Sequence, residues 1–422
     1  MSPTPRPPRP PGAAGARSGG DACPGTLRLH RADDGALARI RIPGGVLAAE
    51  GATALGQAAE RLGDGELHLT SRGNVQLRGL AEADGPELAE LLGGAGLLPS
   101  ARHERVRNVV ASPLSGLDGR GAADIGPWLT GLDRLICGSE SAAGLSGRFL
   151  FALDDGRGDV DALGADLALI ARDDGGAMLR VGATDTVLTV SAADGPRAAL
   201  LAAETFLGAA RDTGAWRLKD LPREVAAALP GEVLRRLREA GTDAVTARHP
   251  RPAEARKPVP GRVGDSALAV DVPLGRLTTA QWRLLSGTGG LRLTPWRGAV
   301  VAGAAHGLLG ALGSAGLITG PGSGWAGVGA CVGRPGCAKS LADVRARAAA
   351  TVGPPGRLPV YWSGCERRCG HPHGEWIDVV ATPGGHRITH VRPDGPGTPV
   401  TVRDDPGALA AAVASARGPR TA

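Results

Sequence analysis

The feature that most constrains the fold of this 422-residue chain is that it repeats itself at an interval of about 220 residues. "IRIPGGVLAAEGATAL" aligns with "VDVPLGRLTTAQWRLL", and "GELHLTSRGNVQLRG" with "GGLRLTPWRGAVVAG". The first copy reads strand, helix, strand: alternation in "LARIRI", a helical stretch from Ala52 to Arg61, then "ELHLTSRGNVQLRGL" as strand. The shared skeleton is L-x-L-T followed by an arginine, which pairs Arg72 with Arg297. Farther on, "RNVVASPLSG" (107–116) aligns with "GVGACVGRPGC" (327–337), Ser112 standing where Cys331 stands. A period this long is too great for a solenoid and fits a duplicated pair of domains. Between the copies, the Pro- and charge-rich segment 246–262 reads as a linker.

Composition narrows the function classes. The length leaves room for two or three domains and a large core. Gly 67 and Pro 33 are high, as in a GC-rich coding sequence, so neither residue is informative by itself. A formal charge of +6 suits an anionic ligand or nucleic acid. Aromatic residues at 3% are too few for the stacking platforms of single-strand binders. No apolar run approaches the roughly 18 residues of a membrane span. Residues 1–24 are basic and Pro-rich without an apolar centre, so they read as a disordered lead and not a secretory signal. The expectation is a cytoplasmic monomer with no nucleic-acid or membrane partner, in a compartment where clustered cysteines bind metal or do redox chemistry.

Four of the six cysteines form such a cluster: Cys331 and Cys337 as C-x5-C, Cys365 and Cys369 as C-x3-C, with 27 residues between the pairs. If the second pair opens a helix, its i, i+4 spacing puts both thiolates on one face. The first pair lies in "CVGRPGC", where Gly and Pro let a loop curl around a bulky group. Structural zinc favours shorter C-x2–4-C knuckles, whereas a [4Fe–4S] cluster takes four thiolates and tolerates wider loops. Zinc and unlinked thiols stay open on spacing alone. Arg334, Arg367 and Arg368 stand where they could offset thiolate charge. Cys23 and Cys137 have no nearby partner in the sequence and read as incidental or buried thiols.

The run "CVGRPGC…SGCERRCGHP" resembles the C-x5-C…C-x3-C pattern of the sirohaem-dependent nitrite and sulfite reductase superfamily. "LTSRGNVQLRGL" is similar to that family's T-x-R-x-x-x-Q stretch through Thr70, Arg72 and Gln76, "RNVVASPLSG" to its Arg-Asn segment, and "LSGRFLFALDDG" to its L-P-x-K-F stretch. Within the superfamily the chain resembles the precorrin-3B synthase family, in its shortness and in "RFLFALDDG" and "SGCERRCGHP".

The resemblance implies an α+β fold of duplicated sulfite/nitrite reductase-like architecture. Ferredoxin-like half-domains would cover 25–98 and 263–320, a sirohaem-domain-like α/β domain 99–245, and a [4Fe–4S]-binding α/β domain 321–418. It implies that Cys331, Cys337, Cys365 and Cys369 hold the cluster, beside a mononuclear non-haem iron whose ligands the sequence does not identify. The reaction implied is oxygen-dependent hydroxylation of precorrin-3A at C20 with γ-lactone formation, NADH and O2 being co-substrates and an electron-donor system the partner. Sirohaem would be the cofactor only under the alternative, a sulfite or nitrite reductase.

Precorrin-3A, like sirohaem, is fringed with acetate and propionate carboxylates, which guanidinium forks bind bidentately. The substrate-binding set expected from these motifs is Arg72, Gln76, Arg107, Asn108 and Arg148. Arg78, Arg102, Arg105 and Arg120 read as solvated surface. Arg148 and Ser146 stand where the reductases' motif has lysine and proline, which removes a proton donor while keeping an anion contact. The second copy lacks the glutamine, so its cavity reads as structural. No catalytic acid or base is assigned. His371 and His373, close to Cys369 and Glu375, are candidate iron ligands; His68 and His103 are candidate acid–base groups; Asp154 and Asp155 read as a turn cap before Gly156.

Overall fold

The computed structural model describes residues 23–419 except 266, 288, 304–306, 373 and 404. Most of the expected lead, and His373, therefore lie outside the described residues. By its contacts the chain divides into two compact units, one made of 105–108 and 122–255, the other of 24–104, 109–121 and 256 onward.

In the larger unit the duplication is visible as two five-stranded sheets. The first runs His30–Ala32, Gly35–Ile40, Val75–Leu80, Glu66–Leu69, and its fifth strand is Arg276–Thr278 from the second copy. The second runs Gly261–Val263, Ala267–Asp271, Gly298–Ala302, Leu291–Leu293, and its fifth strand is Val46–Leu47 from the first. Each copy thus lends a short strand to the other, with Arg276 opposite His68 and Leu47 opposite Leu291. Apolar residues of both copies, among them Leu55, Leu67, Leu77, Trp282, Leu285 and Val301, form a single core. Trp282 is buried in it, and its indole N–H donates to the Ala52 carbonyl at 2.7 Å.

The exchange turns on matched loops. Gly45 and Gly275 both take φ near +70° (71° and 69°), and a Cβ at either would strike the backbone of the opposite copy. For Gly45 that obstacle is the Leu293 carbonyl at 1.9 Å; for Gly275 it is the Leu69 carbonyl at 3.1 Å, with Arg297 nearer still. Leu69 and Leu293 are the equivalent leucines of the two L-x-L-T stretches. Only glycine meets both demands.

The hairpin turns correct the alignment by one residue. Thr70 Oγ1 accepts from the N–H of Arg72 and Asn74, while Thr294 Oγ1 accepts from the N–H of Trp296 and Gly298. Trp296, not Arg297, is therefore the counterpart of Arg72. Arg297 stands at the position of Gly73, and both have positive φ, 58° and 66°.

The rest of this unit is an α/β domain in which Val328–Ala330, Val360–Ser363 and Trp376–Thr382 run parallel. Gly385–Arg392 follows antiparallel, and Val400–Val402 pairs against it before the helix Pro406–Arg417. The smaller unit repeats that order: Phe151–Asp154 parallel to Leu167–Ala171, then Gly176–Val181 and Thr186–Ser191 antiparallel, then the helix Gly195–Ala210. That helix buries Ala198, Ala199, Ala202, Ala203 and Phe206, a stripe at helical spacing. The segment expected as a linker is partly strand: Val245–Arg248 pairs with Thr186–Ser191, and Gly261–Val263 edges the second five-stranded sheet. Among the described residues no helix is long and apolar enough to cross a membrane.

Candidate functional site

The cysteines are placed by strand geometry. Val328–Ala330 and Val360–Ser363 are parallel neighbours, so their carboxyl ends finish side by side. Cys331 follows the first directly, and Cys365 follows the second by way of Gly364. The carboxyl ends of parallel strands are where open α/β sheets present ligands. The two loops are laced together: the Cys331 N–H donates to Trp362 O at 2.9 Å and the Leu341 N–H to Gly364 O at 2.8 Å. The Gly364 N–H points at Cys331 Sγ, 3.2 Å away. Residues 365–369 form a turn and do not open a helix; the Arg368 N–H closes on the Cys365 carbonyl. Tyr361, on the strand beneath, donates its hydroxyl to the Cys369 carbonyl at 2.7 Å. Burial pushes the Tyr361 pKa up, with Arg297 pulling back, so it remains a phenol.

All four sulfurs are free thiols, Cys369 exposed and the others half-buried. Burial pushes the Cys331 thiol up; the N–H groups of Gly364 and Gly333 pull it back, and Cys369 and Cys365 push it further. Among the described residues no three of these sulfurs lie within 4.8 Å of one another. Zinc binds thiolates at about 2.3 Å, which holds sulfurs under about 4 Å apart. The donor set here is all-thiol, the ligand type that a four-iron cluster takes.

The C-x5-C loop is pinned by the first five-stranded sheet. Arg78, fully buried on Val75–Leu80, forks onto Asp34 at 2.6 and 2.8 Å and also donates to the Gly336 carbonyl at 2.9 Å. The Ala338 N–H donates to Asp33. Arg78 is thus no surface residue; it ties the residue before Cys337 to the turn joining the first two strands.

The same sheet carries a polar row. Arg39, Gln76, His68 and Arg276 are direct cross-strand partners on four neighbouring strands, so their side chains share one face. The alternating residues Leu67, Leu69, Val75 and Leu77 go to the core on the other. Arg39 donates to Gln76 Oε1 at 3.2 Å, and Arg276 forks onto Glu66. His68 faces Asp64 at 3.5 Å, and burial followed by the nearby Arg345 pushes its pKa down against the pull of Asp64.

Asp64, Glu66 and His68 bring ligand atoms within 4.8 Å, as do Asp154, Asp155 and Asp159. Neither set suits a cation. Glu66 is filled by Arg276, and Arg345 and Arg78 add positive charge to the first group. Asp154 accepts the N–H groups of Gly156, Gly158, Val160 and Asp161, and Asp155 is paired with Arg157. Asp154 is the turn cap expected from sequence. His371 stacks on Trp376, and Glu375 pairs with His390, so these two members of the candidate group near Cys369 are engaged with other side chains. A mononuclear iron thus has no fitting set of ligands among the described residues.

Two expected substrate contacts are committed inside the smaller unit. Arg107 is buried with its fork on Asp133, both bonds 2.8 Å, and Asn108 is fully buried, donating to the Phe149 carbonyl. Both residues are thus engaged by partners within that unit. Arg148 is exposed, its guanidinium 4.3 Å over the Trp216 ring. In the larger unit Arg72 and Gln76 are half-buried. His103 is buried and bonded to Ser100, a core histidine. Cys137 stands half-buried on the helix Gly126–Gly138, away from the four-cysteine loops in sequence and in unit.

Sequence reasoning missed Arg39, Arg276, Arg345 and Tyr361. The period-two alternation of the strands signals the first two; nothing local signals the others.

Comparison with known proteins agrees with this architecture. The family model for the nitrite/sulfite reductase ferredoxin-like half domain matches residues 29–95. A precorrin-3B synthase of Sinorhizobium sp is 34% identical over 151 residues, 36% of this chain and 32% of that protein. A ferredoxin–nitrite reductase of Synechococcus elongatus is 35% identical over 127 residues, 29% of this chain and 25% of that one. The chain therefore matches about a third or less of the length of these curated relatives. The solved structure of the Mycobacterium tuberculosis NirA protein covers 88% of this chain and 77% of its own at a TM-score of 0.63 and 20% identity. At that identity the likeness shows the fold, which is the duplicated α+β architecture that the sequence resemblance implied.

Proposed function

We propose that this protein is a precorrin-3B synthase-like iron–sulfur monooxygenase that acts on precorrin-3A. The observation that supports the reading is that the loops carrying the four cysteines lie, in one unit, against arginines of the first five-stranded sheet and of the helix Val344–Ala350. Cys331, Cys337, Cys365 and Cys369 would hold a [4Fe–4S] cluster, which when bound supplies single electrons. Arg72 and Gln76, at the tip and start of the second hairpin strand, would meet substrate carboxylates. Planar guanidinium forks fix such carboxylates in orientation as well as charge.

In the proposed reaction one atom of O2 enters precorrin-3A at C20 and the other leaves as water. NADH supplies the two electrons through an electron-donor system, and a ring A acetate closes the γ-lactone. The mononuclear iron of the resemblance has no fitting ligands among the described residues, and no step is assigned to it. On this reading the protein works in the cytoplasm as a monomer.

A second reading, a sirohaem-dependent nitrite or sulfite reductase, is favoured by the likeness to ferredoxin–nitrite reductases. Anaerobically reconstituted protein incubated with precorrin-3A, reductant and 18O2 separates the two. The expected outcome is a product carrying one labelled oxygen by mass spectrometry, lost with the brown chromophore in Cys365→Ser and Cys369→Ser but kept in Cys137→Ser. No product, together with tight sirohaem binding and nitrite or sulfite reduction, selects the reductase.

A further inference from the structure

Charge around the cysteine loops is not where the sequence pattern placed it. Arg334 is exposed and its Nε donates to the Ser340 carbonyl; Arg367 is exposed; Arg368 is engaged by Asp378 and Glu366. The cation built against Cys331 is Arg345, on the first turn of the helix Val344–Ala350. Its Nε donates to the Cys331 carbonyl at 3.3 Å and its Nη1 lies 3.4 Å from His68 Nδ1. Asp343, two residues before it, spends its carboxylate capping the N–H groups of Arg345 and Ala346.

Arg276 and Arg78 stand close by with their forks filled by Glu66 and Asp34, whereas no carboxylate reaches ion-pair distance of Arg345 among the described residues. A guanidinium stays protonated near neutrality, so the charge at this position is fixed. A half-buried cation beside two others is costly unless an anion is near. The group that can answer it is the ligand set of Cys331 itself. Thiolates around an iron–sulfur core carry net negative charge, and each electron accepted adds one more.

Resting on the cluster reading above, the geometry points to Arg345 as the countercharge that sets the reduction potential of the cluster, by favouring its reduced and more negative state. The step concerned is one electron passing from the donor to the cluster, with no bond made or broken. Arg345 touches no substrate in this scheme; it is a positioning residue acting through the Cys331 loop.

Wild-type protein, Arg345→Gln, Arg345→Lys and Arg367→Gln are reconstituted anaerobically with iron and sulfide. Iron and acid-labile sulfide are counted, and the midpoint potential is read by a redox titration followed by EPR. The expected result is the same cluster content in all four, a lower potential in Arg345→Gln and an intermediate one in Arg345→Lys. Arg367→Gln should leave the potential in place, since solvent screens its charge. An unmoved potential in Arg345→Gln, or equal shifts in the glutamine and lysine variants, overturns the proposal. If only the lysine variant retains a cluster, the charge is needed and the proposal stands; if neither does, guanidinium fit and not charge is at work, and it falls. A wild-type protein that takes up no iron and sulfide overturns the cluster reading instead, a result distinct from a full cluster with an unmoved potential.

Discussion

His68 is the residue at which the chemistry of the polar sheet face is most exposed to test. It is 7% exposed, and its pKa is pushed below the ordinary value by burial first and by the Arg345 charge, while Asp64 pulls the other way. The unfolded chain therefore takes up a proton near pH 6.5, where the folded protein refuses it. The stability contributed by this site is complete above that value and is lost as pH falls from about 6.5 toward the depressed folded pKa. Urea unfolding between pH 8 and pH 5 should show that slope in the wild type and a shallower one in His68→Gln. Equal slopes would mean that burial of His68 carries no such cost.

At the scale of elements, the C-x5-C loop has little regular structure of its own and is shaped by what grips it. Asp33, Asp34 and Arg78 hold 336–338 from the first sheet, and the ends of two parallel strands hold Cys331 and Cys365. Asp34→Ala would leave the buried Arg78 guanidinium without its carboxylate. Loss of one partner from a fully buried pair costs about 3–5 kcal/mol. Asp34 keeps some contact with solvent, so the expected loss is nearer the lower end of about 2–4 kcal/mol. The measurement is denaturant unfolding alongside iron retention after reconstitution, and an unchanged midpoint with full iron would show that the grip is dispensable. The hairpin turns are likewise defined by their contacts. The two L-x-L-T stretches are recognisable in sequence, but only the paired threonine turns show that Trp296 replaces Arg72 and that Arg297 occupies a glycine position.

At the scale of the molecule, the reciprocal loan of Val46–Leu47 and Arg276–Thr278 makes the two ferredoxin-like halves one folding unit. Trp282 belongs to the second copy, yet its N–H is satisfied by Ala52 of the first, and its ring approaches Gly56 there. Trp282→Ala should cost about 3–5 kcal/mol. Because the core is shared, circular dichroism and limited proteolysis should report both halves loosening together. Protection of residues 29–95 alone in that variant would show that the halves are independent.

The sequence by itself determined the duplication, the strand–helix–strand order of each copy and the thiol-rich identity of the site. Those follow from local periodicity and residue type, which are properties of neighbours along the chain. Alternation also sets Gln76 and His68 on the faces opposite their apolar neighbours, since a strand offers only two sides. Only the tertiary structure decided which guanidinium forks are already filled. Arg107 reads in the sequence as a substrate contact and Arg78 as solvated surface, yet each is closed by a carboxylate, 26 and 44 residues distant. It also decided that Arg345, eight positions beyond Cys337 and outside every motif, lies against Cys331. The physical reason is that an ion pair, or its absence, is settled by strands and loops that come together across the fold. Spacing along the chain carries no record of that meeting.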